Sequence, residues 1–251
     1  MPPFPQSMKE GWGSRTCGRF GETEEWAGRL PIRLKGWCMS FEDAELVELN
    51  RNQFYSESDD FTLRRYAQFV KHLPADTRDV LDIGCNTGRG GQVIKSKVPA
   101  VRIVGLDCVP DRLQQIDKSV YQATICGFAN NIEAPSNSFD AVVAGEIIEH
   151  IPGIAVFPSL CEIFRILRLR GRILLTTPNP HYLRNWVQNR SVVGDSSHVS
   201  QHTVASMRRR LEDAGFSRIR VYGSGRMTKY IGQRFPVLSA YGSYLTVATK
   251  W

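Results

Sequence analysis

The chain has 251 residues, with 42% hydrophobic, 23% charged and 10% aromatic residues, the balance of a globular protein with one large domain; collagen-like and disordered readings are excluded. No apolar run approaches the roughly 18 residues a spanning helix needs, and the opening MPPFPQSMKE lacks the apolar stretch of a signal peptide, so a cytoplasmic location is expected. The net charge of +7 is unevenly spread: residues 1–150 hold 17 Lys+Arg against 21 Asp+Glu, whereas residues 151–251 hold 15 against 4. Such a basic half reads either as a solvated surface or as a face that meets an anionic group.

Residues 1–40 are rich in Gly, Pro and Trp without sustained periodicity and read as an extension; over 1–60 the chain is expected to lie across a site as a lid. Residues 41–73 read as helical up to Pro74, with Leu63, Tyr66, Ala67 and Val70 recurring at three and four. From Asp79 strand and helix alternate. DVLDIG, RIVGLDC, YQATICGFA, FDAVVAGEII and GRILLTTPN read as strands. GRGGQVIKSKV, PDRLQQIDKSV and VFPSLCEIFRILR read as helices, the last with Phe157, Leu160, Phe164 and Leu167 on its apolar stripe. A helix from Thr203 to Ala214 turns Val204, Met207 and Leu211 inward, and FSRIRVYGS and SYLTVATKW close the chain as a pair of strands. Strands separated by helices imply βαβ units and a parallel sheet, here in one domain over 61–251. The six cysteines (Cys17, Cys38, Cys85, Cys108, Cys126, Cys161) form no CxxC pair and read as reduced thiols.

The most informative stretch is VLDIGCNTGRGG, residues 80–91. A strand runs into a turn with Gly84, Gly88 and Gly90, which permit positive φ and close approach of a ligand to the backbone, and a helix N-terminus follows with unpaired N–H groups. The spacing is not that of the dinucleotide fingerprint, and Asp82 stands two residues before the first glycine, where a carboxylate disfavours a phosphate and favours a cation. Asp107 ends the next strand, where doubly wound sheets place the acid that bonds ribose hydroxyls. A ligand with a ribose, a positive charge and no phosphate suits both; S-adenosylmethionine is such a molecule.

On these residues, with SFDAVVAGEIIEHI and GRILLTTPNP following in order, the sequence over about 60–251 resembles the class I S-adenosylmethionine-dependent methyltransferases. The resemblance implies an α/β, Rossmann-like doubly wound sheet of seven strands, order 3-2-1-4-5-7-6 with strand 7 antiparallel, and helices on both faces. It implies Asp82, Gly84, Cys85 and Gly88 at the methionine portion of the cofactor, Asp107 at the ribose and Cys108 at the adenine. Phe128 stands where an acid is common and would stack on the adenine beside Ala129, while Glu146 would lie by the methionine end. Leu169-Arg170 replaces the Pro-Gly common before the fifth strand.

Three readings compete for Glu149 and His150. His150 is a general base that takes the proton of an acceptor hydroxyl, with Glu149 beside it. Alternatively Glu146, Glu149, His150 and a later His (His198 or His202) hold Mg²⁺ or Mn²⁺, an arrangement resembling metal-dependent ubiquinone-pathway and small-RNA 2′-O-methyltransferases. In the third, the histidine only packs. The segments Pro180–Gln201 and Gly225–Gly242 read as acceptor walls, with Tyr182, Trp186, Tyr230, Phe235 and Tyr241 among Arg184, Arg190, Arg226, Lys229 and Arg234. Aromatic faces with Arg forks suit a sugar or ring bearing phosphate or carboxylate. The leading expectation is therefore O-methylation of a small-molecule hydroxyl, on a sugar, glycan or secondary metabolite that is anionic or phosphate-bearing. RNA 2′-O-methylation and a non-catalytic cofactor-binding subunit are the alternatives, and a homodimer is admissible.

Overall fold

The computed structural model describes residues 43–53, 60–194 and 197–251, so the expected extension over residues 1–40 lies outside the described residues. Seven strands form one sheet: β1 (Asp79–Ile83), β2 (Arg102–Asp107), β3 (Ala123–Cys126), β4 (Phe139–Gly145), β5 (Leu167–Pro178), β6 (Phe216–Ser224) and β7 (Ser243–Lys250). Their order is β3-β2-β1-β4-β5-β7-β6. The first five run parallel, whereas β7 lies antiparallel between β5 and β6. The carboxyl ends of β1–β6 and the start of β7 therefore share one edge of the sheet, and the functional residues collect there.

Period-two alternation along the strands builds a core on each face. Leu81, Ile83, Val142, Ala144, Ile173 and Leu175 point to one side, covered by α5 (Gly153–Ile166) and α7 (Val204–Asp213). Val80, Ile103, Ala141, Val143, Leu174 and Leu245 point to the other, where α2 (Phe61–Val70) brings Tyr66 and Phe69 and α3 (Arg89–Lys97) brings Ile94. Among the described residues no helix is long and apolar enough to cross a membrane.

Four details differ from the sequence reading. The helix expected over 41–73 is two, α1 (Asp43–Arg51) and α2. The helix expected over PDRLQQIDKSV is one turn, α4 (Pro110–Leu113); the Asp117 carboxylate accepts from Ser119 N–H and its carbonyl from Val120 and Tyr121, closing a turn instead. On α5 the buried face is Val156, Leu160, Ile163 and Ile166, one residue round from the expected stripe, with Phe157 exposed. Finally, Cys161 is disulfide-bonded and not a reduced thiol, while Cys85, Cys108 and Cys126 are free. Linear spacing carries no information on which cysteines the fold brings together.

Away from the site, the amino ends of β1 and β4 are tied by ion pairs. Arg102 donates to both oxygens of Asp79 at 2.6 and 2.7 Å, and Arg168 bridges Asp79 and Asp140 at 2.9 and 2.7 Å.

The α5 face is checked by truncation. Leu160→Ala should cost about 2–5 kcal/mol in urea unfolding, because it leaves a cavity under the sheet, and Phe157→Ala under about 1 kcal/mol.

Candidate active site

The loop after β1 turns at Gly84 and Gly88, with φ of 70° and 91°, where a side chain would be strained. Gly84 and Cys85 donate their N–H groups to the Leu106 carbonyl at 2.8 and 3.2 Å, which locks the loop to the end of β2. Asp82 is not at the lip of this loop as expected. It is fully buried beneath it, with Oδ1 accepting from the Tyr66 hydroxyl at 2.5 Å and Oδ2 from the Tyr121 hydroxyl at 2.6 Å. Burial pushes its carboxyl up to about 7 against the pull of both phenols. Tyr121 in turn accepts from Gly91 N–H at 2.9 Å. Gly90 and Gly91 are glycines for this reason: a Cβ on either would lie 2.2 or 2.3 Å from the ring of Tyr66 or Tyr121. Cys85 also departs from expectation, its side chain buried against Gly105 and its thiol pushed far up by burial, so only its backbone faces the loop.

Asp107 stands at the end of β2 as the spacing predicts. Its oxygens accept from Asn86 N–H at 3.0 Å and Val109 N–H at 2.9 Å, which orients the carboxylate and leaves each oxygen a lone pair. Asn86 Oδ1 beside it is buried without a partner. Cys108 is half-buried, its thiol pushed up to about 12 by burial and by Asp107. After β3, Gly127 has open space where a Cβ would stand, and Phe128 is half-buried, whereas Ala129 belongs to the core. An aligned carboxylate, an orphaned amide oxygen and open space, with the Phe128 ring at hand, fit a nucleoside.

Beyond β4, Glu146 adopts a φ of 56°. Its Oε2 accepts from Ser243 Oγ at 3.3 Å, and its Oε1 is buried, 3.8 Å from Arg65 Nε, without a hydrogen-bond partner. Ile147 packs on the glycine loop, its side chain 3.0 Å from where a Cβ on Gly84 would be. Glu149 is fully buried; its Oε2 accepts from Thr177 Oγ1 at 3.0 Å, and burial, then the nearby Glu146, push its carboxyl well above the usual range.

His150 is buried as well. Nδ1 lies 2.9 Å from the Ser197 carbonyl and Nε2 3.0 Å from the Gln53 amide nitrogen, so the neutral ring donates to the first and accepts from the second. Both nitrogens are thus engaged within the protein, whereas the sequence reading expected a base open to the acceptor. Glu149, His150 and His198 each bring a ligand atom within 4.8 Å of the others. Glu146 and His202 are outside that trio. His202 faces Ser200 Oγ through Nε2 at 2.9 Å, and burial, with Arg210, pushes it down to about 4.

A cavity of about 370 Å³ opens at the same edge of the sheet. Arg64, Arg65 and Gln68 of α2 line one side, Arg184 of α6 (Leu183–Val187) and Arg226 the other, with Ser243 between. Of the expected walls, Tyr182, Arg184 and Arg226 line it; Arg234 does not, and Tyr241 is buried beneath Gly223. The residues missed by sequence reasoning are Tyr66, Tyr121, Arg64 and Arg65. The consecutive glycines at 90 and 91 were the one available signal, since they announce a close neighbour of α3.

A seven-stranded sheet in this order, with a glycine loop after β1 and an acid ending β2, defines the class I S-adenosylmethionine-dependent methyltransferase fold. The chain belongs to this superfamily: residues 54–221 match the family model described as a methyltransferase domain. The mitochondrial ubiquinone biosynthesis O-methyltransferase of Mus musculus is 26% identical over 132 residues, 48% of this chain and 34% of its own. The malonyl-[acyl-carrier protein] O-methyltransferase of Gallionella capsiferriformans is 24% identical over 164 residues, 60% of this chain and 54% of its own. The chain thus spans about half or less of the length of these curated relatives. Among solved structures, a SAM-dependent methyltransferase from Archaeoglobus fulgidus shares the fold with a TM-score of 0.61 at 18% identity, over 76% of this chain and 94% of that one.

The Asp82 arrangement predicts a pH signature. A carboxyl raised from 3.8 to about 7 keeps its proton in the folded state where the unfolded chain has lost it, so its contribution to stability falls as pH rises through that window. Asp82→Asn should remove this fall, read as the difference between wild type and variant in urea unfolding at pH 4 to 8. A pH-independent difference would show that Asp82 ionises normally.

Proposed function

We propose that this protein transfers a methyl group from S-adenosylmethionine to a hydroxyl oxygen of a small anionic molecule, a sugar derivative or other secondary metabolite. The observation that carries the reading is the position of Glu146-Ile147. Ile147 packs on the glycine loop, and Glu146 meets Arg65 and Ser243 of the cavity, so one dipeptide separates a nucleoside cradle from an arginine-lined acceptor space. Bound at the loop, S-adenosylmethionine supplies a methyl group activated by its sulfonium charge. Asp107 holds the ribose hydroxyls and Phe128 covers the base. Glu146 Oε1, buried and ion-paired with Arg65 but without a hydrogen-bond partner, accepts the hydrogen bond of the acceptor hydroxyl and then its proton as the oxygen–carbon bond forms and the sulfur–carbon bond breaks. His150 holds the segment after β4 against Ser197 and Gln53 and is not the base.

Glu146→Gln should lower kcat by about 10²-fold, the usual scale for a general base, with the acceptor KM changed far less. Label transfer from methyl-labelled cofactor into a pool of small anionic metabolites supports the reading. Label only in total RNA would favour 2′-O-methylation of RNA, and cofactor binding without turnover on any acceptor a non-catalytic subunit.

A second reading has one observation in its favour: the Glu149, His150 and His198 trio could hold Mg²⁺ or Mn²⁺, which would lower the pKa of the acceptor hydroxyl. It asks Glu149 to ionise in full burial and Gln53 to leave His150. We expect activity to be unaffected by EDTA; loss in EDTA restored by Mg²⁺ or Mn²⁺ would establish the metal reading instead.

A further inference from the structure

The cavity is lined by four arginines, and their charges are unequally spent. Arg64 pairs with Asp60, and Arg65 faces Glu146 at 3.8 Å. Arg184 and Arg226 have no carboxylate partner among the described residues, and Arg226 is held over the Phe61 ring at 5.6 Å. Among the described residues no acidic side chain lines the space. Arg64 Nε is buried without a hydrogen-bond partner, a donor that a ligand oxygen would satisfy. Two unneutralised guanidinium groups therefore meet at a cavity with room for a small molecule, and the hydroxyl acceptor of the proposed chemistry, Glu146, sits toward the side lined by Arg65.

We propose that the methyl acceptor is a phosphate monoester, its phosphate gripped by Arg184 and Arg226 at the exposed side of the cavity and its hydroxyl turned toward Glu146. The proposal deepens the methyl-transfer reading and rests on it for the identity of the ligand as substrate. Charge decides among anions. A phosphate monoester carries about −1.5 to −2 near pH 7 and neutralises two guanidinium groups, whereas a carboxylate or a phosphodiester brings one negative charge. Geometry agrees, because the three terminal oxygens of a monoester can accept forked hydrogen bonds from two guanidinium planes at once, and a diester has only two. The same count argues against internal RNA phosphates and phosphodiester lipid headgroups.

The test is calorimetric binding of phenyl phosphate, with benzoate and diphenyl phosphate as competing chemistries and S-adenosylhomocysteine as an independent probe of the cofactor loop. Phenyl phosphate should bind at least ten-fold more tightly than either comparison anion, and its affinity should rise several-fold from pH 5 to pH 7.5 as the second proton, with a pKa of about 6, is lost. Arg184→Gln and Arg226→Gln should each weaken it about ten-fold or more, while Arg209→Gln, on α7 outside the cavity, changes nothing. All variants should bind S-adenosylhomocysteine as the wild type does, which also shows that they are folded. Equal binding of benzoate, silent arginine variants, or no phosphate binding by a protein that binds S-adenosylhomocysteine would overturn the proposal and leave methyl transfer standing. Phosphate binding without S-adenosylhomocysteine binding would do the reverse: the anion site would stand and the methyl-transfer reading would fail.

Discussion

A buried carboxylate holds this site together. Asp82 lies in the sheet beneath the glycine loop with no access to water, and two phenols from distant parts of the chain close on it, Tyr66 from α2 and Tyr121 from the segment before β3. A buried acid of this kind is costly unless its oxygens are satisfied, so the two tyrosines are obligatory neighbours. Their rings then demand Gly90 and Gly91 in the first turn of α3, where any side chain would collide with them. The first turn of α3 is thereby drawn onto the sheet, and Gly91 N–H, which a helix leaves unpaired at its start, finds the Tyr121 oxygen. The same contact seats α2. Arg64, Arg65 and Gln68 flank Tyr66, and with Tyr66 fixed to Asp82 they are delivered to the acceptor cavity. Gln68 extends the anchorage, donating to the Gly223 carbonyl at 2.8 Å and accepting from Ser224 Oγ at 2.9 Å at the far edge of the sheet. One interaction thus sets the shape of the cofactor loop and the position of the helix that faces the acceptor.

This coupling also separates what the sequence displays from what it hides. The strands, their parallel order and the acid ending β2 were readable because each rests on a local pattern: a short apolar run, a glycine turn, a carboxylate at fixed distance. The antiparallel setting of β7 was implied by the family resemblance, and the structure bears it out. Asp82 was found, but the reading took a carboxylate near a glycine loop to face the ligand, whereas the structure buries it between two phenols. Only tertiary structure shows that two tyrosines 55 residues apart in the chain converge on it. Gly90 was read as ligand clearance and is clearance for a ring; the positive φ at Gly84 and Gly88 was read correctly.

The segment after β4 shows the same limit. Three polar, titratable residues in EIIEH invite a catalytic reading, yet the steps of three and one between them send the side chains in different directions. Glu146, in a left-handed conformation, reaches Ser243 and Arg65, while Glu149 and His150, in the following 3₁₀ turn, are buried against Thr177 and Ser197. No spacing rule distinguishes these outcomes. The deciding facts are a backbone angle and the arrival of His198 and Ser197 from about fifty residues further along.

The uneven charge of the chain acquires a different meaning from this structure. The basic second half is not a free field, because many of its cations are engaged in the fold. Arg165 holds Glu162 and the carbonyls of Ile132 and Ala134, Arg168 ties β1 to β4, Arg172 donates to the His72 carbonyl, and Lys250 reaches the carbonyl of Leu167. Arg170 and Arg218 both lie against the Trp251 ring. Such contacts hold the charge beside partners or over a ring and weaken its attraction for an outside polyanion. Arg184 and Arg226 have no such carboxylate partner among the described residues, and they meet two arginines that come from the acidic first half. The relevant quantity is therefore the local sum at one cavity and not the excess of a half-chain. A local excess of two positive charges selects a compact anion, where an extended basic surface would have selected a polymer.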